Sequence, residues 1–194
     1  MEYIKTSIPD VLLIKPKLHM DQRGYFAETF RQDKLRDSIG YQVNFFQENE
    51  TRSKKGVLRG LHFQLPPFAQ SKLVRVIDGE VLDIVVDIRK GSPTFGHHLA
   101  ENLSKKNKHQ LFIPRGFAHG FVVLSEWATF SYKVDNYYSP KSDAGLAFND
   151  PNLGLNWGLP LDQLILSKKD LNQPTLDMLY NECLLFSYKK NLYE

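Results

Sequence analysis

The sequence has almost no cysteine, no long apolar run and no excess of one charge, and each shortage removes a class of protein. Its only cysteine, Cys183, cannot close an internal disulfide, so a fold without covalent staples in a reducing, cytoplasmic setting is expected. Near the N-terminus the apolar run from Val11 to Ile14 falls short of the roughly 7 to 15 residues of a signal-peptide core. No stretch approaches the ~18 apolar residues of a transmembrane helix, so no membrane partner is expected. With 25 basic and 22 acidic residues the formal net charge is only +3, too balanced to suggest a nucleic-acid surface. Positive residues thicken at Arg52, Lys54, Lys55, Arg59, Lys72 and Arg75, which charge alone assigns to a solvated face. Also missing are GxGxxG, the phosphate loop GxxxxGKS/T, the GxSxG elbow and paired CxxC. Dinucleotide redox, P-loop chemistry and serine hydrolysis lose their usual handles.

What is present reads as one all-β domain spanning residues 1–194. No repeat or Gly/Ser linker divides the chain, and prolines are spread along it. Between Val57 and Val134, short runs rich in β-branched and aromatic residues alternate with turn residues: VLRGLHFQ, KLVRVI, EVLDIVVDI, HQLFI, GFVVL and ATFSYKV. That pattern belongs to an antiparallel sandwich or barrel. Asp78-Gly79, set between two apolar runs, predicts a two-residue hairpin turn joining strands over residues 73–88. Helical spacing is confined to residues 30–39 and to a C-terminal segment of about 174–190. There Leu176, Leu179, Tyr180 and Cys183 form a stripe suited to covering the barrel.

The remaining chemistry rests on histidines. His19, His97, His98 and His109 lie in polar surroundings and read as surface residues. His62 and His119 sit within LRGLHFQ and IPRGFAHGF, where a small barrel usually places apolar side chains, so each imidazole needs a partner. The residues alone leave a satisfied core histidine and a catalytic one equally open. Tyr132 shares strand parity with Ala128, Phe130 and Val134, which turns its ring inward and leaves its hydroxyl seeking a cavity or an acceptor. Strict alternation puts Arg59 and His62 on opposite faces unless Gly60 or a bulge interrupts it.

PRGFAHGF resembles the second conserved motif of the cupin jelly rolls, and LRGLHFQ stands where their first would be. A metal-binding first motif carries two histidines and a glutamate. Here His62 is followed by Phe63 and Gln64 with no glutamate up to Lys72, so no metal and no cofactor are expected. A fuller resemblance, over about residues 20–175, is to the dTDP-4-dehydrorhamnose 3,5-epimerase family. Its blocks are DQRGYFAETF (21–30), QENETRSKKGVLRGLHFQ (47–64), QSKLVRVIDG (70–79), DIRKGSPTFG (87–96), IPRGFAHGF (113–121), YKVDNYYSP (132–140) and LSKKD (166–170). Asp143 and Phe148 depart from it, standing where glutamate and tryptophan are common.

The resemblance implies a cupin-type double-stranded β-helix with its jelly-roll core over about residues 40–150. It also implies epimerisation of dTDP-4-dehydro-6-deoxy-D-glucose at C3 and C5 to dTDP-4-dehydro-L-rhamnose. By similarity, His62 is the base, oriented by Asp170; Tyr132 is the acid on the far face of the ring. Lys72 stabilises the enolate, with His119 assisting. Arg23, Glu28, Gln47, Asn49, Arg59, Tyr138 and Lys169 match positions that hold the dTDP-sugar. Arg23 and Glu28 would come from a strand exchanged within a homodimer. Close alternatives are inversion at C3 alone or 3,4-ketoisomerisation of the same substrate class. A non-catalytic sugar-nucleotide-binding cupin and a metal-dependent dioxygenase are more distant ones.

Overall fold

The run Glu80–Asp87 is apolar on both parities, and a strand of that kind needs cover on both faces. The computed structural model describes residues 1–193 and supplies it. In chain order, β1 (Glu2–Lys5) and β2 (Leu12–Lys15) precede a separate hairpin of β3 (Leu18–Asp21) and β4 (Gly24–Ala27). After α1 (Gln32–Ile39) come β5 (Gln47–Lys54), β6 (Leu58–Gln64), β7 (Lys72–Asp78), β8 (Glu80–Asp87) and the short β9 (Arg89–Lys90). Then follow β10 (His98–Ser104), β11 (Gln110–Ile113), β12 (Phe117–Val123), β13 (Trp127–Val134) and β14 (Asp143–Gly145). The chain ends with α2 (Leu176–Asn181) and β15 (Phe186–Ser187).

Two antiparallel sheets face one another as a cupin-type jelly roll. Sheet one has the order β1-β2-β11-β7-β13-β5 and sheet two the order β10-β8-β12-β6-β14. Val74, Val76, Val81, Val85, Leu111, Phe121 and Phe130 meet between them. On the outer face of sheet two, Leu58, Leu61, Ile84, Val86 and Val122 pack against Trp157 and against Leu176 and Leu179 of α2. On the outer face of sheet one, Leu12, Ile14, Leu73 and Phe112 pack against Leu35 of α1. β8 thus lies inside sheet two with apolar cover on both sides, which explains why its apolar residues fall on both parities.

Every β run read from the sequence forms a strand, but the connection at Asp78-Gly79 differs. β7 pairs with β11 and β13, whereas β8 pairs with β10 and β12, so the turn joins the two sheets instead of closing a hairpin. Gly79 has φ +81°, and a Cβ there would stand 2.1 Å from the Trp127 carbonyl oxygen. Asp78 is not among the non-glycine residues with positive φ, so the type I′ geometry is not formed.

The C-terminal helix is also shorter than expected, ending at Asn181 instead of running to about 190. Cys183 adopts φ +58°, and the N–H groups of Cys183 and Leu184 bond back to the carbonyls of Tyr180 and Leu179. This 5→2 and 6→1 pair closes the helix as a Schellman motif. The chain then runs extended, with β15 parallel to β9. One strand, β5, had no sequence signal at all. QENETRSK contains no apolar residue and is held by pairing along its whole length with β13.

Strand alternation is interrupted in β6. His62 opposes His119 and Arg59 opposes Phe121, so Gly60 and Leu61 together face the single Gly120. Such a bulge returns Arg59 and His62 to the same side. Gly60, at φ +131°, lies so close to β12 that a Cβ would meet the Gly120 Cα at 2.5 Å. Gly60→Ala is therefore expected to lower stability by at least about 1–3 kcal/mol through overpacking. A urea-unfolding midpoint equal to that of the parent chain would show that the contact relaxes freely.

Candidate active site

The bulge aims His62 into a cavity of about 330 Å³ between the sheets, a size in the range of small-molecule sites. Its partner comes from far along the chain. The segment around Ile165 adds to the start of β6, with Leu58 N–H bonding the Ile165 carbonyl and Ile165 N–H bonding that of Gly56. This places the 3-10 turn Asp170–Asn172 behind His62, whose Nε2 lies 2.6 Å from Asp170 Oδ1. The His62 side chain is 33% exposed and that of Asp170 only 6%, so the carboxylate is covered and the imidazole faces the cavity. Burial alone would raise Asp170, but the His62 contact and the Ser167 hydroxyl hold its carboxyl below the ordinary value. A carboxylate only accepts hydrogen bonds, so the ring nitrogen on Asp170 carries a proton, and in the neutral ring the other nitrogen is the acceptor.

Opposite His62 in register stands His119, whose Nε2 lies 3.0 and 2.9 Å from the two oxygens of Asp83. Both side chains are buried. Burial pulls His119 down, and although Asp83 opposes this, the imidazole stays below its usual value and is neutral at pH 7. Lys72, at the start of β7 in sheet one, donates from Nζ to the His62 carbonyl at 3.1 Å. Desolvation pulls its ammonium down to about 8, against the opposing charges of Asp83 and Asp143. Tyr132 lines the same cavity from β13, its phenol pushed up by burial and hydrogen-bonded by Asn49. The stacked rings of Phe121 and Phe130, 4.1 Å apart, supply apolar wall.

The structure thus brings His62, Asp170, Lys72, Tyr132, Arg59, Tyr138 and Lys169 to one cavity, with His119 among its lining residues. Arg59 donates from Nε to Ser53 Oγ at 3.1 Å. Tyr138 and Lys169 are joined at the rim by Asp143, whose Oδ2 accepts from the Tyr138 hydroxyl at 2.9 Å and pairs with the Lys169 ammonium. Gln47 and Asn49 stand one layer out: Gln47 Nε2 donates to Asn49 Oδ1 at 2.8 Å, and Tyr138 N–H reaches Gln47 Oε1 at 3.3 Å. Arg23 and Glu28 do not line the cavity of their own chain. Arg23 is 85% exposed and paired with Asp21, and Glu28 faces Arg31 at 3.9 Å. Phe148 is buried in the core and its carbonyl accepts from Trp157 Nε1 at 2.8 Å, a packing position.

Two further points depart from the sequence reading. The basic thickening divides: Arg59 and Lys72 enter the cavity, while Arg52 and Lys54 occupy the exposed face of β5. Asp83 was missed, although a carboxylate at the centre of VLDIVV, on the inner parity of Val81 and Val85, was a legible signal. Among the described residues, no group of three or more His, Cys, Asp or Glu side chains is placed to hold a metal ion. No helix among them is long and apolar enough to cross a membrane.

Known proteins similar to this chain are described as epimerases. A family model described as dTDP-4-dehydrorhamnose 3,5-epimerase matches residues 5–178. The Salmonella typhimurium protein named dTDP-4-dehydrorhamnose 3,5-epimerase is 54% identical over 178 residues, covering 91% of this chain and 96% of its own. The Legionella pneumophila dTDP-6-deoxy-D-glucose-3,5-epimerase, solved in complex with dTDP-4-keto-L-rhamnose, superimposes with a TM-score of 0.92 at 45% identity, over 97% of this chain and 99% of that one. A Streptomyces bikiniensis 3'-monoepimerase in complex with dTDP-quinovose gives 0.87 at 33% identity, over 95% and 92%. With the matched segment spanning the barrel and its cavity, this chain belongs to the dTDP-4-dehydrorhamnose 3,5-epimerase family.

Proposed function

We propose that this chain epimerises dTDP-4-dehydro-6-deoxy-D-glucose at C3 and C5 to dTDP-4-dehydro-L-rhamnose, with His62 as base and Tyr132 as acid. The observation that carries this assignment is their placement: His62 projects from sheet two and Tyr132 from sheet one into the same cavity. A ring bound between the sheets meets a base on one face and a proton donor on the other. The C4 ketone acidifies the hydrogens on C3 and C5. His62 removes one, and Asp170 stabilises the resulting imidazolium. Negative charge then moves to the C4 oxygen, where the Lys72 ammonium is the counter-charge. Tyr132, held protonated by burial, returns a proton from the opposite face, and the Arg59 charge steadies the phenolate left behind.

His119 takes a different part from direct support of the enolate. Its Nε2–H is committed to Asp83, so the neutral ring offers an acceptor, which we assign to orienting a sugar hydroxyl. We read the reaction as metal-independent, because each of the two imidazoles is already bound to its own carboxylate. The cavity takes the sugar ring and leaves the nucleotide across the rim. There Arg59 and Lys169 suit the diphosphate, Tyr138 the base, and Gln47 and Asn49 the remaining polar groups. Such binding of the non-reacting portion is what positions the ring. A nucleotide-activated substrate also suits the cytoplasm.

Arg23 and Glu28 reach a site only if a second copy supplies them. The β3–β4 hairpin stands apart from the main sheets and exposes Met20 at 70% and Phe26 at 71%, an apolar surface suited to a partner subunit. We read the protein as a homodimer whose hairpins are exchanged.

Three outcomes follow. In deuterated water, His62→Ala abolishes solvent exchange at both C3 and C5, whereas Tyr132→Phe keeps exchange but yields little doubly inverted sugar. Near-normal double inversion by the tyrosine variant, measured by NMR, would remove Tyr132 from the acid's role; inversion at C3 alone by the parent chain would favour the mono-epimerase reading. In the pH–rate profile, Lys72 must be charged and its value is lowered to about 8, so the alkaline limb falls as pH rises through that value. Lys72→Arg should move this limb to higher pH, and an unmoved limb assigns it to another group. Mixed His62→Ala and Arg23→Ala chains, each inactive or impaired alone, regain activity, because the hybrid dimer holds one intact site. No recovery after subunit mixing would count against hairpin exchange.

A further inference from the structure

Beyond the residues that meet substrate, the grip on Lys72 from outside the barrel calls for explanation. Alternation along β7 turns Lys72 and Val74 into the barrel and Leu73 outward. Ser71, just before the strand, is fully buried. The C-terminal tail holds both sequence neighbours of the lysine. The Tyr193 ring packs into the outer cluster that contains Leu73, and its hydroxyl lies 2.7 Å from Ser71 Oγ. That hydroxyl already accepts from Tyr41 and from the Arg115 N–H, each at 3.2 Å, so its own proton goes to Ser71.

The tail is itself anchored at several points. β15 pairs with β9, Arg115 Nη1 donates to the Leu192 carbonyl at 2.7 Å, and the Arg115 guanidinium lies 5.0 Å from the Tyr193 ring centroid. The same arginine bonds Asp135 at 3.0 Å, and Asp135 accepts the Ser71 N–H at 2.6 Å. Ser71 is therefore fixed through both its backbone and its side chain. The family match ends at residue 178, so this tail lies outside the matched segment.

We propose that the C-terminal tail is a strap on the catalytic strand, with Tyr193 a positioning residue that acts through Ser71 to fix the Lys72 ammonium in the cavity. The inference rests on the reading of Lys72 as the group that holds the enolate. It is tested with the full chain and three variants, Tyr193→Phe, Ser71→Ala and Lys72→Met, alone and combined. Tyr193→Phe keeps the ring and loses only the hydroxyl; Ser71→Ala breaks the same bond from the other side, should the first fold poorly. Each is expected to lower kcat on the order of tenfold. KM, and dTDP affinity by calorimetry, should stay unchanged. In the Lys72→Met background neither should lower the residual rate further, since residues acting through one group are non-additive. Parent-like kcat in both tail variants, with Lys72→Met crippled, overturns the strap and leaves the reading of Lys72 standing. Losses that add to that of Lys72→Met, or that appear in KM and dTDP affinity, also overturn it and make the tail a general structural brace. A Lys72→Met enzyme at parent rate instead overturns the reading of Lys72, and the strap with it.

Discussion

Ionisable groups enclosed by a jelly roll must each be paired, and this requirement organises the cavity. Lys72, His119, Asp83 and Asp170 are all buried. An unpaired charge in that setting would be expelled or neutralised. Asp83 and Asp170 each take one imidazole. Lys72 is held by a backbone carbonyl and by the more distant charges of Asp83 and Asp143, with desolvation still the larger effect. The pairing leaves His62 as the more exposed imidazole, with its carboxylate covered behind it. The two histidines face each other in register yet have different surroundings, one ring facing the cavity and the other enclosed, and on that difference rest the different roles we propose for them.

Placing these groups is a matter of backbone geometry. A regular strand gives every second residue to the interior, and β6 must supply residues three apart. The bulge at Gly60 and Leu61 removes the parity conflict, and the close approach of Gly60 to Gly120 shows why both positions are glycine. Behind β6, the segment at Ile165 delivers Asp170, and outside β7 the C-terminal tail meets Ser71 and Leu73. The strands that carry His62 and Lys72 are therefore both supported from positions distant in sequence. Aligning reacting groups to fractions of an ångström needs that kind of support.

Much of this was legible because period-2 patterns report burial directly. The β runs from Val57 to Val134 became strands, and Tyr132 lies on the inward parity its neighbours indicated. What escaped is equally physical. β5 has no apolar residue: one of its faces is exposed and the other carries Gln47, Asn49, Thr51 and Ser53, so hydrophobic periodicity could not show it. Asp78-Gly79 carries hairpin chemistry, but a glycine at positive φ serves an inter-sheet corner as well as a hairpin. The helical stripe ending at Cys183 was interrupted by a left-handed residue that cysteine rarely supplies.

By itself the sequence determined the strand-rich class, the inward face of each apolar run and the residue types able to abstract, stabilise and return a proton. Its ordered motifs also pointed to the family. Only the tertiary structure decided which strands share a sheet, that Arg59 and His62 share a face, that Asp83 takes His119, and that Tyr193 reaches Ser71 across the chain. The reason is range: side-chain alternation is written in neighbouring residues, whereas a buried charge finds its partner through contacts between strands and loops that are distant in sequence.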